Sequence, residues 1–225
     1  MKKKLLFVHI PKCGGTTFKA TLHQIFGKDK VFKIWNSPNA DASVTEFADM
    51  DIDQILTYPC IAGHLPYMKA KEKLGDNIKQ YFVCTLVRNP IDHVLSSWNY
   101  INTNSKHSAH HRISQMSFED FIENETNNQQ CLFICGKPNS KYAAEILNNE
   151  YSLVEPLERF NSFIKRISHE FNYSVRDYKI INKSKKIISK SSLDEKKINL
   201  IKQNNLEDLL LYQKVISLKK TNIND

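Results

Sequence analysis

The stretch Lys4-Leu5-Leu6-Phe7-Val8-His9-Ile10-Pro11-Lys12-Cys13-Gly14-Gly15-Thr16-Thr17-Phe18 decides the fold. Lys4–Ile10 is a short apolar run that stops at Pro11, the pattern of a buried strand. From Thr16 to Phe26 the apolar residues Phe18, Leu22 and Ile25 recur at helical spacing, and Gly27 supplies a stop. Strand, glycine turn and helix in that order form the first unit of an α/β sheet. The turn itself suits an anion. Gly14 and Gly15 permit close backbone approach, and the helix start offers N–H groups to a phosphate. Thr16 and Thr17 add hydroxyl donors, and Lys12 adds a mobile positive charge. The loop is not a Walker A loop, because its lysine precedes the glycines. Gly27-Lys28 is followed by Asp29 and Gly136-Lys137 by Pro138, so Gly-Lys-Ser/Thr is absent, as is G-x-G-x-x-G.

Beyond this unit the same alternation continues. Residues 28–58 read as irregular and polar, with a short helix within Glu46–Leu56, and Pro59–Gly63 is a second brief apolar run. Gln80–Val87 is the clearest buried strand. Arg88-Asn89-Pro90 follows it, with Pro90 suited to the first turn of a helix over Ile91–Ile101. Asn102–Gln115 reads as a polar, His-rich loop. Ser117 with Asp120 opens a helix over Phe118–Ile122, Asn139 or Ser140 caps one reaching Leu147, and Tyr151–Val154 reads as a strand. Arg159–Phe171, Leu193–Gln203 and Leu206–Leu218 have helical patterns. With no repeat and no clear boundary, the expectation is one α/β domain over residues 1–225 with a largely parallel central sheet flanked by helices.

Ligands of open α/β sheets bind outside the carboxyl ends of the strands, and three strand ends here carry polar residues. The first is the Lys12–Thr17 turn. The second is Arg88, with Ser96 about two helical turns later; an arginine fork with a hydroxyl makes a phosphate clamp, although Arg88 could equally be a structural ion-pair partner. The third is Gly63-His64. A histidine at a strand end can serve as a general base near neutral pH, and its position beside two anion-binding elements favours that over a structural role.

Composition bounds the rest. The chain has 225 residues, 32 Lys and Arg against 24 Asp and Glu, and a formal charge of +8. That length can enclose a real core, and 41% hydrophobic with 25% charged residues argues against disorder. From Lys179 to Lys220 there are eleven lysines and four acids, a surplus of seven, which leaves the remainder nearly balanced at +1. This lysine-rich, helical C-terminal part reads as a solvated surface, not as evidence for nucleic acid. Lys183, Lys185 and Lys186 could alternatively close over a bound phosphate. The five cysteines, Cys13, Cys60, Cys84, Cys131 and Cys135, lack zinc-like spacing and fit reduced thiols in a cytoplasmic protein. Met1–Lys4 and the short apolar run after it do not make a secretory signal, and no run approaches the ~20 residues of a membrane span. His107, His110 and His111 have no nearby acidic or cysteine pattern, so no metal is expected. Arg112 in the same segment is a candidate contact for an acidic ligand.

The residues also carry a family likeness. His9–Phe18 resembles the 5′-phosphosulfate loop of carbohydrate sulfotransferases, and Thr85-Leu86-Val87-Arg88-Asn89-Pro90-Ile91-Asp92-His93-Val94-Leu95-Ser96 resembles their 3′-phosphate motif. Gly63-His64 is similar to the segment that supplies the catalytic histidine in the group containing heparan sulfate 2-O-sulfotransferase. Asn128-x-Gln130 before Leu132 and Cys135-Gly136, Leu153-Val154 with Glu158-Arg159-Phe160, and Asp208–Tyr212 are weaker echoes. The resemblance implies a P-loop-like fold and 3′-phosphoadenosine 5′-phosphosulfate (PAPS) as co-substrate. It implies that Cys13, Gly14, Gly15, Thr16 and Thr17 hold the 5′-phosphate and that Arg88 and Ser96 hold the 3′-phosphate. Lys12 would then contact the bridging oxygen, and His64 would take the proton of a carbohydrate hydroxyl. The alternatives are a P-loop-type kinase, disfavoured by the missing Gly-Lys-Ser/Thr, and a non-catalytic anion- or nucleic-acid-binding module, supported by net charge alone.

Overall fold

The computed structural model describes residues 3–35, 42–174 and 187–218. Lys179, Lys183, Lys185, Lys186, Lys219 and Lys220 lie outside the described residues. The chain begins with strand β1 (Lys4–Val8), helix α1 (Gly15–Phe26), β2 (Val31–Ile34), α2 (Val44–Asp49), α3 (Ile52–Leu56) and β3 (Cys60–Gly63). It continues through α4 (Tyr67–Leu74), β4 (Tyr81–Val87), α5 (Pro90–Thr103), α6 (His110–Ile113), α7 (Phe118–Glu125), α8 (Gln129–Cys135) and α9 (Ser140–Glu150). The last elements are β5 (Leu153–Pro156), α10 (Phe160–Glu170), α11 (Glu195–Asn204) and α12 (Leu206–Leu218).

The five strands form one sheet in the order β2-β3-β1-β4-β5, and every pairing is parallel. Parallel sheets are covered on both faces, which is why β4 is buried at all seven positions and β1 at every position after Lys4. Phe7 of β1, Phe18 of α1 and Phe163 of α10 interlock edge-on, with ring centroids 4.6 and 4.9 Å apart along that series. All five cysteines are buried free thiols, and Cys60 and Cys84 pack in this core. A second apolar cluster lies among the helices, where Trp98 of α5 meets Phe118 and Phe121 of α7, with Ile201 of α11 beneath them.

Local signals act where they were expected. Asn89 caps α5 through Ile91 N (3.0 Å) ahead of Pro90, Ser117 and Asp120 form a capping box, and Asn139 accepts from Tyr142 N at 2.8 Å. Gly27 ends α1 at a φ of 86°. Strand β2 departs from the expectation for residues 28–58. Its four residues include Lys33 and follow Lys28-Asp29-Lys30, so an edge strand is hidden in a charged stretch. Helices α4 and α8, of eight and seven residues, are too short to show a periodic pattern, and α6 occupies part of the segment read as loop. Strand β5 runs two residues further along the chain than expected.

The edge strand fits against its neighbour with no room to spare. A Cβ on Gly63, where φ is 149°, would lie 1.8 Å from the carbonyl oxygen of Ile34, the residue paired with it. Gly63→Ala therefore forces β2 and β3 apart and is expected to cost about 3 kcal/mol, measured by urea unfolding. Wild-type stability in that variant would contradict the Ile34–Gly63 register.

Candidate active site

Because the sheet is parallel, β1, β3 and β4 all end at the same edge, with β1 between its two neighbours. The turn after β1, Gly63-His64 after β3 and Arg88 after β4 are thus adjacent by topology. The turn is tightly wound: Lys12 has a φ of 66° and Gly14 a φ of 79°, and Cys13 N donates to Ile10 O at 3.1 Å. A left-handed lysine is strained, and its neighbours hold it there. Arg88 Nη1 donates to Lys12 O at 2.9 Å, and His93 Nε2 donates to Pro11 O at 2.9 Å. Helix α1 starts at Gly15 and its first internal bond is Phe18 N to Gly14 O, so the amides ahead of Phe18 project from the helix end toward the turn.

Each glycine has its own structural reason. At Gly14 the left-handed backbone favours glycine. At Gly15 a Cβ would sit 2.1 Å from the His9 ring, so the first turn of α1 lies directly on a buried histidine. Thr16 is exposed and Thr17 is buried. The Cys13 side chain is fully buried and burial drives its thiol pKa upward, so what Cys13 can offer a ligand is its main chain.

The electrostatics are those of a partly desolvated cationic centre. Burial, and then the neighbouring Arg88, lower Lys12 to a pKa of about 8. Its ammonium stands 3.4 Å from the centroid of the Tyr100 ring, a cation–π contact. Burial, and then Lys12, lower His64 to about 4, so its imidazole is neutral at pH 7. The His64 ring packs 4.7 Å from His9 and 5.2 Å from Trp35. No described carboxylate forms an ion pair with Arg88. Ser96 is half-buried on α5, and its hydroxyl makes no hydrogen bond among the described residues.

The structure therefore joins Lys12 directly to Arg88 and couples Lys12 to His64. Sequence reasoning missed His9, His93 and the Lys12–Tyr100 contact, because no periodicity encodes a ring lying on a glycine or a histidine reaching a carbonyl 82 residues away. Trp98 is core, whereas Tyr100 is 36% exposed. In the His-rich segment His110 Nδ1 bonds Ile101 O at 2.8 Å, and His107 Nδ1 accepts from Ala109 N at 3.1 Å. Arg112 forms a two-pronged pair with Glu125, so its guanidinium is engaged within the protein. Among the described residues no group of three or more His, Cys, Asp or Glu is placed to hold a metal ion, and no helix is long and apolar enough to cross a membrane.

A family model described as the sulfotransferase family matches residues 1–215. The chain belongs to the sulfotransferase family. Among solved structures, a sulfotransferase from Alicyclobacillus acidocaldarius matches with a TM-score of 0.53 and 12% identity, covering 96% of each chain. A retinol dehydratase in complex with retinol and PAP matches with a TM-score of 0.50 and 12% identity, covering 92% of this chain and 81% of the other. Mouse sulfotransferase SULT7A1 complexed with PAP matches with a TM-score of 0.49 and 19% identity, over 79% of this chain; the sulfotransferase spans 61% of the mouse protein's length. At these identities the likeness is one of fold. A search of curated proteins finds no match.

The buried His9 and His93 and the half-buried His64 have lowered pKa values, those of His64 and His93 to about 4. In the unfolded chain each takes up its proton near 6.5, so between about 6.5 and 4 the unfolded state binds more protons. Their contribution is complete above 6.5 and declines as the pH falls toward 4, by up to about 1.4 kcal/mol per pH unit for each proton. Asp208, raised by burial to about 6, acts in the opposite sense below that pH, one group against three. The urea midpoint is expected to fall between pH 7.5 and pH 5. An unchanged midpoint over that interval would show that these rings are not buried in their neutral form.

Proposed function

We propose that this sulfotransferase moves a sulfuryl group from PAPS to a hydroxyl of a carbohydrate or glycan, with His64 as general base. The observation that carries the reading is the meeting of a neutral, half-buried histidine with Lys12 and Arg88 where three parallel strands end. The retinol dehydratase, crystallised with PAP, supports the choice of nucleotide. The Gly14-Gly15 turn with the amides of α1 suits a 5′-phosphate, and Arg88 with Ser96 suits a 3′-phosphate. The carbohydrate class rests on the likeness of the Gly63-His64 segment and the two phosphate motifs to the heparan sulfate 2-O-sulfotransferase group. By the same reading the enzyme works in the cytoplasm and binds neither nucleic acid nor a metal.

In-line transfer forms a bond from the acceptor oxygen to sulfur and breaks the bond from sulfur to the 5′-phosphate oxygen. Negative charge grows on that phosphate, and the Lys12 ammonium and the loop amides stabilise it. Lys12 must leave the Tyr100 ring to do so, and a pKa near 8 keeps it mostly protonated at neutral pH. The acceptor's hydroxyl proton passes to the neutral imidazole of His64. Because His64 stays neutral down to about 4, the acid limb of kcat/KM is expected well below the ordinary histidine value of about 6.5.

Calorimetry with 3′-phosphoadenosine 5′-phosphate (PAP) against ATP tests the donor class. Tight ATP binding with no response to the bisphosphate would make the protein a nucleotide-triphosphate enzyme instead. His64→Ala is expected to keep PAP affinity and to lose transfer by about 10²–10⁴, whereas Arg88→Ala weakens PAP binding. A screen of hydroxyl acceptors with labelled donor measures transfer; full turnover by His64→Ala would remove it as the base.

A further inference from the structure

Arg88 stands one residue beyond the sheet. The last pair of the β4–β5 ladder is Val87 with Pro156, and proline has no N–H to carry the ladder onward. The peptide groups of Arg88 therefore need partners elsewhere, and one side chain supplies both. Arg88 N donates to Gln130 Oε1 at 2.8 Å, and Gln130 Nε2 donates to Arg88 O at 2.8 Å. The primary amide, 1% exposed, thus replaces a neighbouring strand for this one residue.

Gln130 is itself held from the far end of the chain. Helix α8 begins after Asn128, a left-handed residue with a φ of 45° that gives its own helix no side-chain cap. The Asp208 carboxylate, 1% exposed, fills that role, accepting from Gln130 N at 2.9 Å and from Cys131 N at 2.8 Å. The exchange is reciprocal. Asp208 N donates to Asn128 Oδ1 at 3.0 Å, and Asn128 N donates to Asn205 Oδ1 at 3.2 Å, so the starts of α8 and α12 hold each other. No cation pairs with the Asp208 carboxylate among the described residues, and its oxygens are occupied by the two helix amides. A buried acceptor pair aimed at two amides of one turn fixes the turn more closely than packing alone.

We propose that Gln130 and Asp208 are positioning residues for recognition of the donor's 3′-phosphate: Gln130 fixes the main chain of Arg88, and Asp208 fixes Gln130. Neither side chain touches the ligand; both act through the direction of the Arg88 guanidinium. The proposal rests on the reading of Arg88 as the 3′-phosphate contact. It predicts a loss that falls mainly on that phosphate: the Lys12–Thr17 turn also receives the Arg88 Nη1 bond at Lys12 O, but it keeps its own anchors in His93 and the Cys13–Ile10 bond.

The test compares PAP with adenosine 5′-phosphate, which lacks the 3′-phosphate, by calorimetry on the full chain. Wild type is expected to prefer PAP. In Gln130→Met, PAP affinity should fall about tenfold while adenosine 5′-phosphate binding stays within twofold, and Asp208→Asn should shift the same ratio in the same direction. In an Arg88→Ala background, Gln130→Met should change neither affinity further. If Gln130→Met fails to fold, the isosteric Gln130→Glu, which loses the bond to Arg88 O, is read in its place. An unchanged ratio, or equal losses for both nucleotides, would overturn the proposal while leaving the donor assignment intact. A wild type that does not distinguish the two nucleotides would overturn both.

Discussion

Strand β1 is covered on both faces and hydrogen-bonded along both edges, to β3 on one side and β4 on the other. A chain leaving such a strand can only continue past its end, and its parallel neighbours leave at the same edge. The glycine turn, His64 and Arg88 are brought near one another by this constraint alone. Side chains then tie the exits together. Thr85 Oγ1 reaches Val8 O at 2.7 Å, His93 reaches Pro11 O, and Arg88 reaches Lys12 O. In the last two cases the acceptor is a carbonyl of the turn itself, beyond the sheet, where it would otherwise need water.

The same edge concentrates positive charge in a place where water is scarce. Lys12 and Arg88 raise each other's cost, and Lys12 helps keep His64 neutral. In the free protein the face of Tyr100 offsets part of the cost for Lys12. A dianion bound as proposed would offset these terms, adding an attractive charge beside two mutually repelling cations. The formal charge of +8 is largely a property of the C-terminal third. In the proposed function, affinity for an anionic donor would come from two cations in a nearly neutral stretch, through position and desolvation.

The strand–turn–helix unit and the β4 strand were legible because they are continuous apolar runs punctuated by glycine and proline, and the helix caps were legible because each is a contact within three residues. Strand β2 was not, because Lys33 interrupts an edge strand of four residues. The site divides in the same way. Lys12, His64 and Arg88 stand at strand ends, which the alternation of elements predicts. His9 became visible as a constraint only through the missing Cβ of Gly15, and the link between Gln130 and Asp208 spans 78 residues with no pattern to announce it. Those contacts are products of tertiary packing, to which periodicity is blind.

The reciprocal capping of α8 and α12 has a consequence for how the protein is made. Synthesis proceeds from the N-terminus, and both motifs proposed to bind the donor's phosphates have emerged once about residue 96 is complete. The carboxylate that closes the first turn of α8 arrives only with residue 208, more than a hundred positions later. Until then the nascent chain carries the glycine turn, Arg88 and Gln130 without the carboxylate that seats Gln130. The turn that seats Gln130 is thus closed by a segment made long after the strand ends it serves.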